Sequence, residues 1–200
     1  MARVRAADYD EKKQLILDRA AALFARKGFA NATMIDVAKA CGASKSRLYH
    51  YFSSKEGVLF AIVGEHIKLL TAQVSEVAEL PLQPSERFTR FVENFVALAA
   101  DSRNEHLVLM NDLKFLPETK LKRVRKMESQ LVDSVIGLLA ALNPALMAQE
   151  KLKKPYAMLL FGMIIWTFTW YEKSGPIPPD ELADRISQLF VRGFGDLPAT

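Results

Sequence analysis

Residues 31–59, NATMIDVAKACGASKSRLYHYFSSKEGVL, predict two short helices separated by a sharp turn. Thr33 can cap the first of these helices, and Asp36, three residues on, can reach back to it as an acidic form of the capping box. Gly42 ends that helix and lets the chain turn, and Ser44 caps the second helix. Two short helices joined by a glycine-containing turn have the geometry of a helix-turn-helix, whose second helix fits the major groove of DNA.

The segments on either side of this motif complete a small helical head. A helix over about 9–27 precedes it, with apolar residues at helical spacing, and Gly28 supplies a left-handed stop. Ser53 and Glu56 form a second capping box, S-x-x-E, which opens a long helix over about 54–77.

The rest of the sequence also predicts helices, because it shows no run of alternating β-branched residues and no repeat. The apolar segment after Pro155 forms one helix, and a final helix begins at Pro179, where a missing backbone donor costs nothing. We therefore expect an all-α fold of nine helices in two domains. These are a three-helix helix-turn-helix head over 1–53 and a helical ligand-binding and dimerisation domain over 54–200.

Basic residues are concentrated in the predicted head. Residues 1–60 carry 11 lysines and arginines against 6 aspartates and glutamates, whereas residues 61–200 carry 16 against 17. This asymmetry indicates a polyanionic partner for the head. Arg3 and Arg5 belong either to an arm that touches an adjacent minor groove or to a disordered basic tail.

Cysteine content and hydropathy indicate the compartment. Cys41 is the one cysteine of the sequence, so an internal disulfide or a cysteine-based zinc cluster is excluded. The N-terminus lacks the apolar core of a signal peptide, and the apolar run at 157–171 is shorter than the roughly 20 residues that span a bilayer. We expect a cytoplasmic protein with no membrane partner and no cofactor. The absence of a histidine–carboxylate cluster at metal spacing argues against a metal effector.

The head resembles that of the TetR family of transcription regulators. The matching residues are ALFARKGF at 22–29, Thr33, Val37-Ala38, Cys41-Gly42-Ala43-Ser44, Leu48-Tyr49-His50-Tyr51-Phe52, Ser54-Lys55-Glu56 and Leu59. The resemblance implies a dimeric regulator that reads operator DNA and senses a small molecule, with repression as the usual outcome. Ser46 and Arg47 depart from it, since glycine and a small residue are common there. Both lie where base edges would be read, so we expect an altered operator sequence rather than lost binding.

Eight side chains are candidates for contact with double-stranded operator DNA. Phosphate contacts position a protein on the duplex, whereas base contacts specify the sequence. The candidates for phosphate are Thr33, Ser44, Tyr49 and Lys55, and the resemblance implies the same for Thr33, Tyr49 and Lys55. The candidates for base edges, which should point outward near the start of the second helix, are Lys45, Ser46, Arg47 and His50. Arg47 is the best equipped, because a guanidinium can bind guanine O6 and N7 together.

The larger domain is expected to hold a pocket for a small hydrophobic effector. The candidate lining residues are Phe88, Phe91, Phe95, His106, Met110, Leu113, Leu131, Val135, Phe161 and Trp166. Asn94, Asn111 and Tyr156 are further polar candidates. The alternative for the apolar residues is ordinary core packing, and we expect about half of them to touch no ligand.

The last two helices are the expected homodimer interface. The segment around Phe161, Ile165, Phe168 and Trp170 is apolar on nearly every face, which is more than one small domain can cover. Gly162 and Gly193 would allow two helices to approach closely. The alternative is a core helix without a partner.

A basic cluster lies between these regions, and its members are Lys120, Lys122, Arg123, Arg125 and Lys126. It either binds phosphates of a ligand or forms a solvated helix face. The ending FGMIIWTFTWYEKSGPIPPDELADRISQLFVRG resembles TetR-type regulators of fatty-acid, steroid or aromatic-acid breakdown, several of which respond to acyl-CoA thioesters. The resemblance implies an acyl-CoA effector whose phosphates would lie near this cluster.

Two other classes of function are alternatives to a regulator. An enzyme is disfavoured, because no nucleophile or acid–base motif and no phosphate-binding glycine loop is present. The other class is a helical protein whose head binds protein rather than DNA. A regulator, unlike either, should lose affinity for a promoter fragment steeply as the salt concentration rises.

Overall fold

The computed structural model describes residues 2–172 and 174–194, apart from the side chains of 2–8, 99–100 and 168. This part of the chain contains ten α-helices, one short 3₁₀ helix and no strand. The helices are α1 (Ala2–Lys27), α2 (Met34–Ala40), α3 (Lys45–Tyr51), α4 (Lys55–Ala78), α5 (Pro84–Asp101), α6 (Arg103–Asp112), α7 (Glu118–Leu142), α8 (Pro144–Met147), α9 (Glu150–Trp170) and α10 (Pro179–Phe194), with the 3₁₀ helix at Leu113–Phe115. The predicted all-α class is confirmed.

The tenth helix is the short α8, which the sequence patterns did not separate from its neighbours. The side-chain oxygen of Asn143 accepts a hydrogen bond from the backbone N–H of Leu146 at 3.1 Å, so Asn143 caps this helix. Pro144 occupies the first turn, where its missing N–H leaves no bond unmade. One additional turn of helix therefore explains the difference from the predicted nine.

The caps around the helix-turn-helix are mostly those expected. Thr33 Oγ1 accepts from the backbone N–H of Asp36 at 3.1 Å, and the Asp36 carboxylate accepts from the backbone N–H of Thr33 at 2.9 Å. Ser44 Oγ accepts from the backbone N–H three residues on at 3.2 Å. Gly28 and Gly42 have φ of 81° and 61°, a left-handed conformation that glycine adopts without strain.

The predicted Ser53–Glu56 capping box is wrong. Ser54 caps α4 instead, because its Oγ accepts from the backbone N–H of Gly57 at 3.0 Å. The third helical residue is then Gly57, which has no side chain that could close a reciprocal box. Two adjacent serines precede the helix, and the sequence pattern selected the wrong one.

Two predicted helix starts are also corrected. Helix α1 begins at Ala2 rather than near Tyr9, so the backbone at Arg3 and Arg5 is helical, whereas their contact with a minor groove stays a prediction. Helix α9 begins at Glu150, and Pro155 lies inside it rather than before it. Proline within the second turn removes only one backbone donor of a long helix, and burial of α9 residues such as Leu160 offsets that loss.

The chain divides into two compact units. The first unit comprises Met1–His66 and Asn104–Arg125, and the second comprises Ile67–Arg103 and Lys126–Thr200. Helix α4 contributes to both units, so these structural units do not follow the functional boundary predicted between residues 53 and 54. That functional boundary stays a prediction.

Each unit has its own apolar core. In the first unit, Phe24, Leu48 and Leu59 are fully buried. In the second, aromatic rings join α5 to α9 and α10: Phe88 stacks on Phe190 with ring centroids 5.3 Å apart, and Phe95 lies 6.0 Å from Phe161. These rings hold the second unit together.

Helix α4 is long and apolar enough to cross a membrane by length and composition alone. Half of its most apolar window is nevertheless buried within the protein. Val58 and Ile62 are buried in the first unit, and Leu70 and Val74 belong to the core of the second. Burial in the two cores accounts for the hydropathy of α4.

Candidate nucleic-acid interface

Helix α3 exposes one face and buries the other. Lys45, Ser46, Arg47 and His50 are exposed, as is Tyr49 at 43% of its surface, whereas Leu48 is completely buried. The Lys45 ammonium lies 5.7 Å from the centroid of the Tyr49 ring, a cation–π distance. The four residues predicted to point outward therefore do so, and they form a short polar and basic rod.

An aromatic contact with α1 holds the end of α3. The ring of Tyr9 stacks on that of Tyr51 with centroids 4.7 Å apart, and it meets His50 edge-on at 6.3 Å. Phe52, which follows α3, is buried. Tyr9 is not among the residues predicted for this site, because a contact between residues so far apart along the chain leaves no local pattern.

The hydroxyl of Thr33 is occupied within the protein. It donates to the Asp36 carboxylate at 2.9 Å while accepting from the Asp36 backbone N–H. The Lys27 ammonium donates to the same carboxylate at 2.8 Å. The hydrogen bond from Lys27, followed by those from Thr33, lowers the pKa of Asp36 to about 2. The start of α2 is thus fixed before any partner binds.

Lys55 occupies a different environment from the phosphate contact predicted for it. Its ammonium donates to the backbone carbonyls of Phe29 and Ala32, both at 2.7 Å, and to that of Ala30 at 3.5 Å. It also lies 4.3 Å from the centroid of the Phe29 ring. Each of its three hydrogens faces a carbonyl, so this side chain ties α4 to the loop before α2.

The predicted ligand-binding residues fall in both units. Phe88, Phe91, Phe95, Leu131 and Phe161 are buried and packed in the core of the second unit, as is Val135. Trp166, also in the second unit, is 67% exposed. In the first unit His106 is buried, Leu113 is half-buried and Met110 is exposed.

Two surface grooves border α5 in the second unit, with volumes of about 350 and 490 Å³. Asn94, one of the polar candidates, lines the larger groove together with Arg90 and Val77. Of the other polar candidates, Asn111 donates to the backbone carbonyl of Leu107 at 2.9 Å. Tyr156 packs its ring against Phe194 at 4.9 Å.

Two buried histidines meet between α4 and α6. His66 Nε2 lies 3.3 Å from His106 Nδ1, and both side chains are almost completely buried. Burial lowers the pKa of His66 to about 4, and burial together with the repulsion between the two rings when protonated lowers that of His106 to about 3. Both rings are therefore neutral near pH 7.

Cys41 closes α2, where its backbone N–H donates to the carbonyl of Val37 at 3.0 Å and that of Gly42 donates to the carbonyl of Lys39 at 3.1 Å. Its side chain is half-buried, and this burial raises the pKa of the thiol. Few of the thiols are therefore ionised near neutral pH.

Two family models match the chain. Residues 16–62 match the model described as bacterial regulatory proteins, tetR family, and residues 81–194 match the one described as tetracyclin repressor-like, C-terminal domain. A TetR-family transcriptional regulator from Bordetella parapertussis 12822 is 39% identical with a TM-score of 0.84, over 94% of this chain and 98% of that one.

More distant relatives extend over most of the chain. The transcriptional activator FasR of Mycolicibacterium smegmatis is 24% identical over 96% of this chain and 86% of its own. The transcriptional repressor KstR2 of the same organism is 24% identical over 92% and 90%. AibR, solved in complex with isovaleryl coenzyme A and operator DNA, has the same fold, with 23% identity and a TM-score of 0.75 over 89% of this chain and 97% of that one.

A helix-turn-helix with an outward basic rod, joined to a helical second unit, defines a DNA-binding transcriptional regulator. The chain belongs to the TetR family, since one family model covers the helix-turn-helix and the other covers more than half of the chain.

Proposed function

We propose that the protein is a ligand-responsive repressor, a cytoplasmic homodimer without catalytic activity, which leaves its operator when a small hydrophobic effector binds. The observation that carries this proposal is the exposed face of α3. Lys45, Ser46, Arg47 and His50 lie outside while Leu48 anchors the helix inside. A helix held in this way can be laid in the major groove with its N-terminal residues against base edges.

We assign the contacts of this face by chemistry. Arg47 reads guanine through two parallel hydrogen bonds, and Lys45, Ser46 and His50 contact neighbouring base edges. Tyr49 and Ser44 donate hydroxyl hydrogen bonds to backbone phosphates. Contacts of both kinds are needed, because phosphates fix the register in which the bases are read.

Thr33 and Lys55 belong to the same interface in this proposal, but their side chains position other groups rather than contact DNA directly. The Thr33 hydroxyl is engaged with Asp36, and the Lys55 ammonium is engaged with the loop carbonyls. In this proposal Thr33 caps the start of α2, against which a phosphate lies, and Lys55 holds that start in position. This revises the direct phosphate contact expected of Lys55.

The dimer interface in this proposal is the exposed apolar face of α9 and α10. Its large members are Met158, Leu159, Met163, Trp166 and Trp170 on α9 and Leu189 on α10, each more than a third exposed. Gly162 lies in the same stripe, and a Cβ there would meet nothing within 4 Å in the described residues. Phe161 faces the core instead, and the side chain of Phe168 lies outside the described residues. A second copy would bury this surface around a two-fold axis.

The relatives support a hydrophobic effector. KstR2 is named a repressor and FasR an activator. Expression of an operator-linked reporter tests whether this protein represses or activates transcription. The structure solved for AibR contains isovaleryl coenzyme A, and we extend the same class of effector, an acyl-CoA thioester, to this chain. Its acyl group would enter between the aromatic residues of α5 and α9, by displacing part of the packing seen around Phe95 and Phe161.

Replacement of Arg47 by alanine tests the proposed function. Loss of a bidentate contact to guanine should weaken binding by about 1–3 kcal/mol, or roughly 5- to 150-fold, for each half-site of the operator, and relax specificity at that base pair. The measurement is titration of promoter duplexes, each with one base pair changed. Arg90→Ala, which removes an exposed arginine of α5, is the matched control and should leave binding unchanged.

Wild-type protein should also bind the duplex more weakly as salt is added. A wild-type protein that ignores promoter duplexes at low ionic strength would overturn the proposal.

A further inference from the structure

We propose that residues 113–125, here called the basic segment, form a second DNA-contacting surface that binds backbone phosphates beside the helix-turn-helix. This inference rests on the proposed function, because it adds contacts to the same DNA complex. It assigns four members of the basic cluster, all but Lys126, to DNA rather than to a ligand or to a merely solvated helix face. Three observations carry it: where the segment packs, its charge, and the exposure of its cations.

The basic segment packs against the beginning of α4. On α7, the Lys120 ammonium lies 5.7 Å and the Arg123 guanidinium 4.9 Å from the centroid of the Phe60 ring. Lys120 Nζ also lies 3.9 Å from where a Cβ would be on Gly57, in the first turn of α4. Phe60 therefore holds two cations of α7 at the end of α4 that directly follows α3.

A second contact fixes the segment to the loop before α2. The ring of Phe115 stacks on that of Phe29 with centroids 5.2 Å apart. Phe29 is the residue whose carbonyl accepts from Lys55. The basic segment is thus joined at both of its ends to the elements that present the helix-turn-helix, and all of these residues belong to the first unit.

The charge of the segment is strongly positive. Between residues 113 and 125 the sequence has five cations and one carboxylate, Glu118. With this segment included, the first unit carries 16 lysines and arginines against 10 aspartates and glutamates, and the second carries 11 against 13. The basic excess of the protein therefore lies entirely in the unit that contains the helix-turn-helix.

These cations remain available to a partner. Lys122, Arg123 and Arg125 are exposed, and Lys120 is half-buried. Lys122 pairs with Glu118 at 2.7 Å, but both side chains are about three-quarters exposed, so this pair is weak and easily exchanged for a phosphate. A solvated face that stabilised its own helix would alternate charges at i, i+4, and this face does so only once.

The test is the salt dependence of DNA binding by Lys120→Gln/Arg123→Gln. Glutamine keeps an aliphatic stem over Phe60 while it removes both charges. If both cations contact phosphate in each protomer of the proposed homodimer, four contacts are lost, so the slope of log affinity against log salt should fall in magnitude by about 4, and affinity should drop equally for operator and unrelated duplexes. The charge-retaining Lys120→Arg/Arg123→Lys should keep the wild-type slope.

Two controls separate this inference from simpler explanations. Lys151→Gln/Lys154→Gln removes two exposed charges from α9 in the second unit and should leave the slope unchanged. Thermal unfolding of every variant shows whether the head remains folded. A folded Lys120→Gln/Arg123→Gln variant with the wild-type slope would overturn the inference.

The same variants distinguish failure of this inference from failure of the proposed function. If Arg47→Ala loses operator specificity while Lys120→Gln/Arg123→Gln binds like wild type, the inference fails and the regulator stands. If wild-type protein binds no DNA, both fail. If the variant loses affinity for coenzyme A with no change in the DNA slope, the segment holds ligand phosphates and the inference is overturned.

Discussion

The ammonium of Lys55 donates to two carbonyls at 2.7 Å and covers the ring of Phe29, so one side chain joins two segments of the first unit. Helix α2 follows the loop that contains Phe29, and Lys55 is the first residue of α4. A cation that is fully engaged inside the protein affects a DNA complex mainly by positioning other groups.

Lys55→Met is predicted to destabilise the free protein. The substitution leaves the part-buried carbonyl of Ala32 without the Lys55 donor, which costs about 1–3 kcal/mol, whereas the carbonyl of Phe29 keeps the backbone N–H of Ala32 at 3.2 Å. Urea unfolding without DNA measures this loss. Lys39→Met, on the exposed side of α2, should change the stability little. A free protein as stable as wild type, with only DNA binding weakened, would restore the direct phosphate contact expected from the sequence.

The residues that sequence analysis placed correctly are those whose partners are local. Thr33 and Asp36 are three residues apart, and the outward face of α3 follows from helical periodicity around Leu48. Lys55 and Phe29 are 26 residues apart, and no pattern in the sequence records their contact. Helical periodicity predicts which side of a helix faces solvent. It does not predict which distant backbone carbonyl will accept a hydrogen bond from a given side chain.

At the scale of elements, α4 and α6 meet through the pair of buried histidines. His66 and His106 stay neutral in the folded protein because burial lowers their pKa values to about 4 and about 3. In the unfolded chain both protonate near pH 6.5. The unfolded state therefore binds more protons as the pH falls below 6.5, and the folded state loses stability.

The predicted result is a stability that is fully present above pH 6.5 and falls as the pH drops towards 4. His66→Gln/His106→Gln should flatten this fall by an amount on the order of a few kcal/mol. Glu105 and Asp112, whose pKa values burial raises, act in the opposite direction, but they are present in both proteins. Chemical unfolding at several pH values, with exposed His50→Gln as the control, measures the difference. Parallel curves for wild type and the double variant would contradict the assignment.

Element boundaries could be predicted where proline or glycine ends a helix in an unambiguous way. The start of α10 at Pro179 and the end of α1 before Gly28 are of this kind. The predicted place of Pro155, before the helix, is wrong. The sequence pattern does not distinguish a proline in the second turn of a helix from a proline that directly precedes the helix. The packing of α7 against Phe60 could not be predicted, since it is a contact between residues far apart in the sequence and depends on the tertiary fold.

At the scale of the whole molecule, α9 and α10 leave a large apolar surface uncovered in one copy of the chain. Leu159, Trp166 and Leu189 are 61%, 67% and 69% exposed. Apolar patches of this kind are typical of surfaces that associate. The proposed homodimer covers this one.

Trp166→Asp/Leu189→Asp is predicted to yield a monomer that binds a palindromic operator at least tenfold more weakly, because its two half-sites are no longer held together. Analytical ultracentrifugation measures the mass, and duplex titration measures the affinity. Leu15→Asp, which alters a side chain of α1 that is 47% exposed, should leave the protein dimeric. A double variant with an unchanged sedimentation coefficient would place the interface elsewhere.

Cys41 is the one thiol among the 200 residues, and it sits between the two helices of the motif. The unmutated chain therefore accepts a single maleimide dye at the end of α2, beside the turn of the helix-turn-helix. Because burial suppresses thiolate formation, coupling should be slow at neutral pH and faster in mildly alkaline buffer. In the proposed homodimer, energy transfer between the two dyes would report the distance between the two helix-turn-helix motifs. Its change after effector is added would give the rate of any movement.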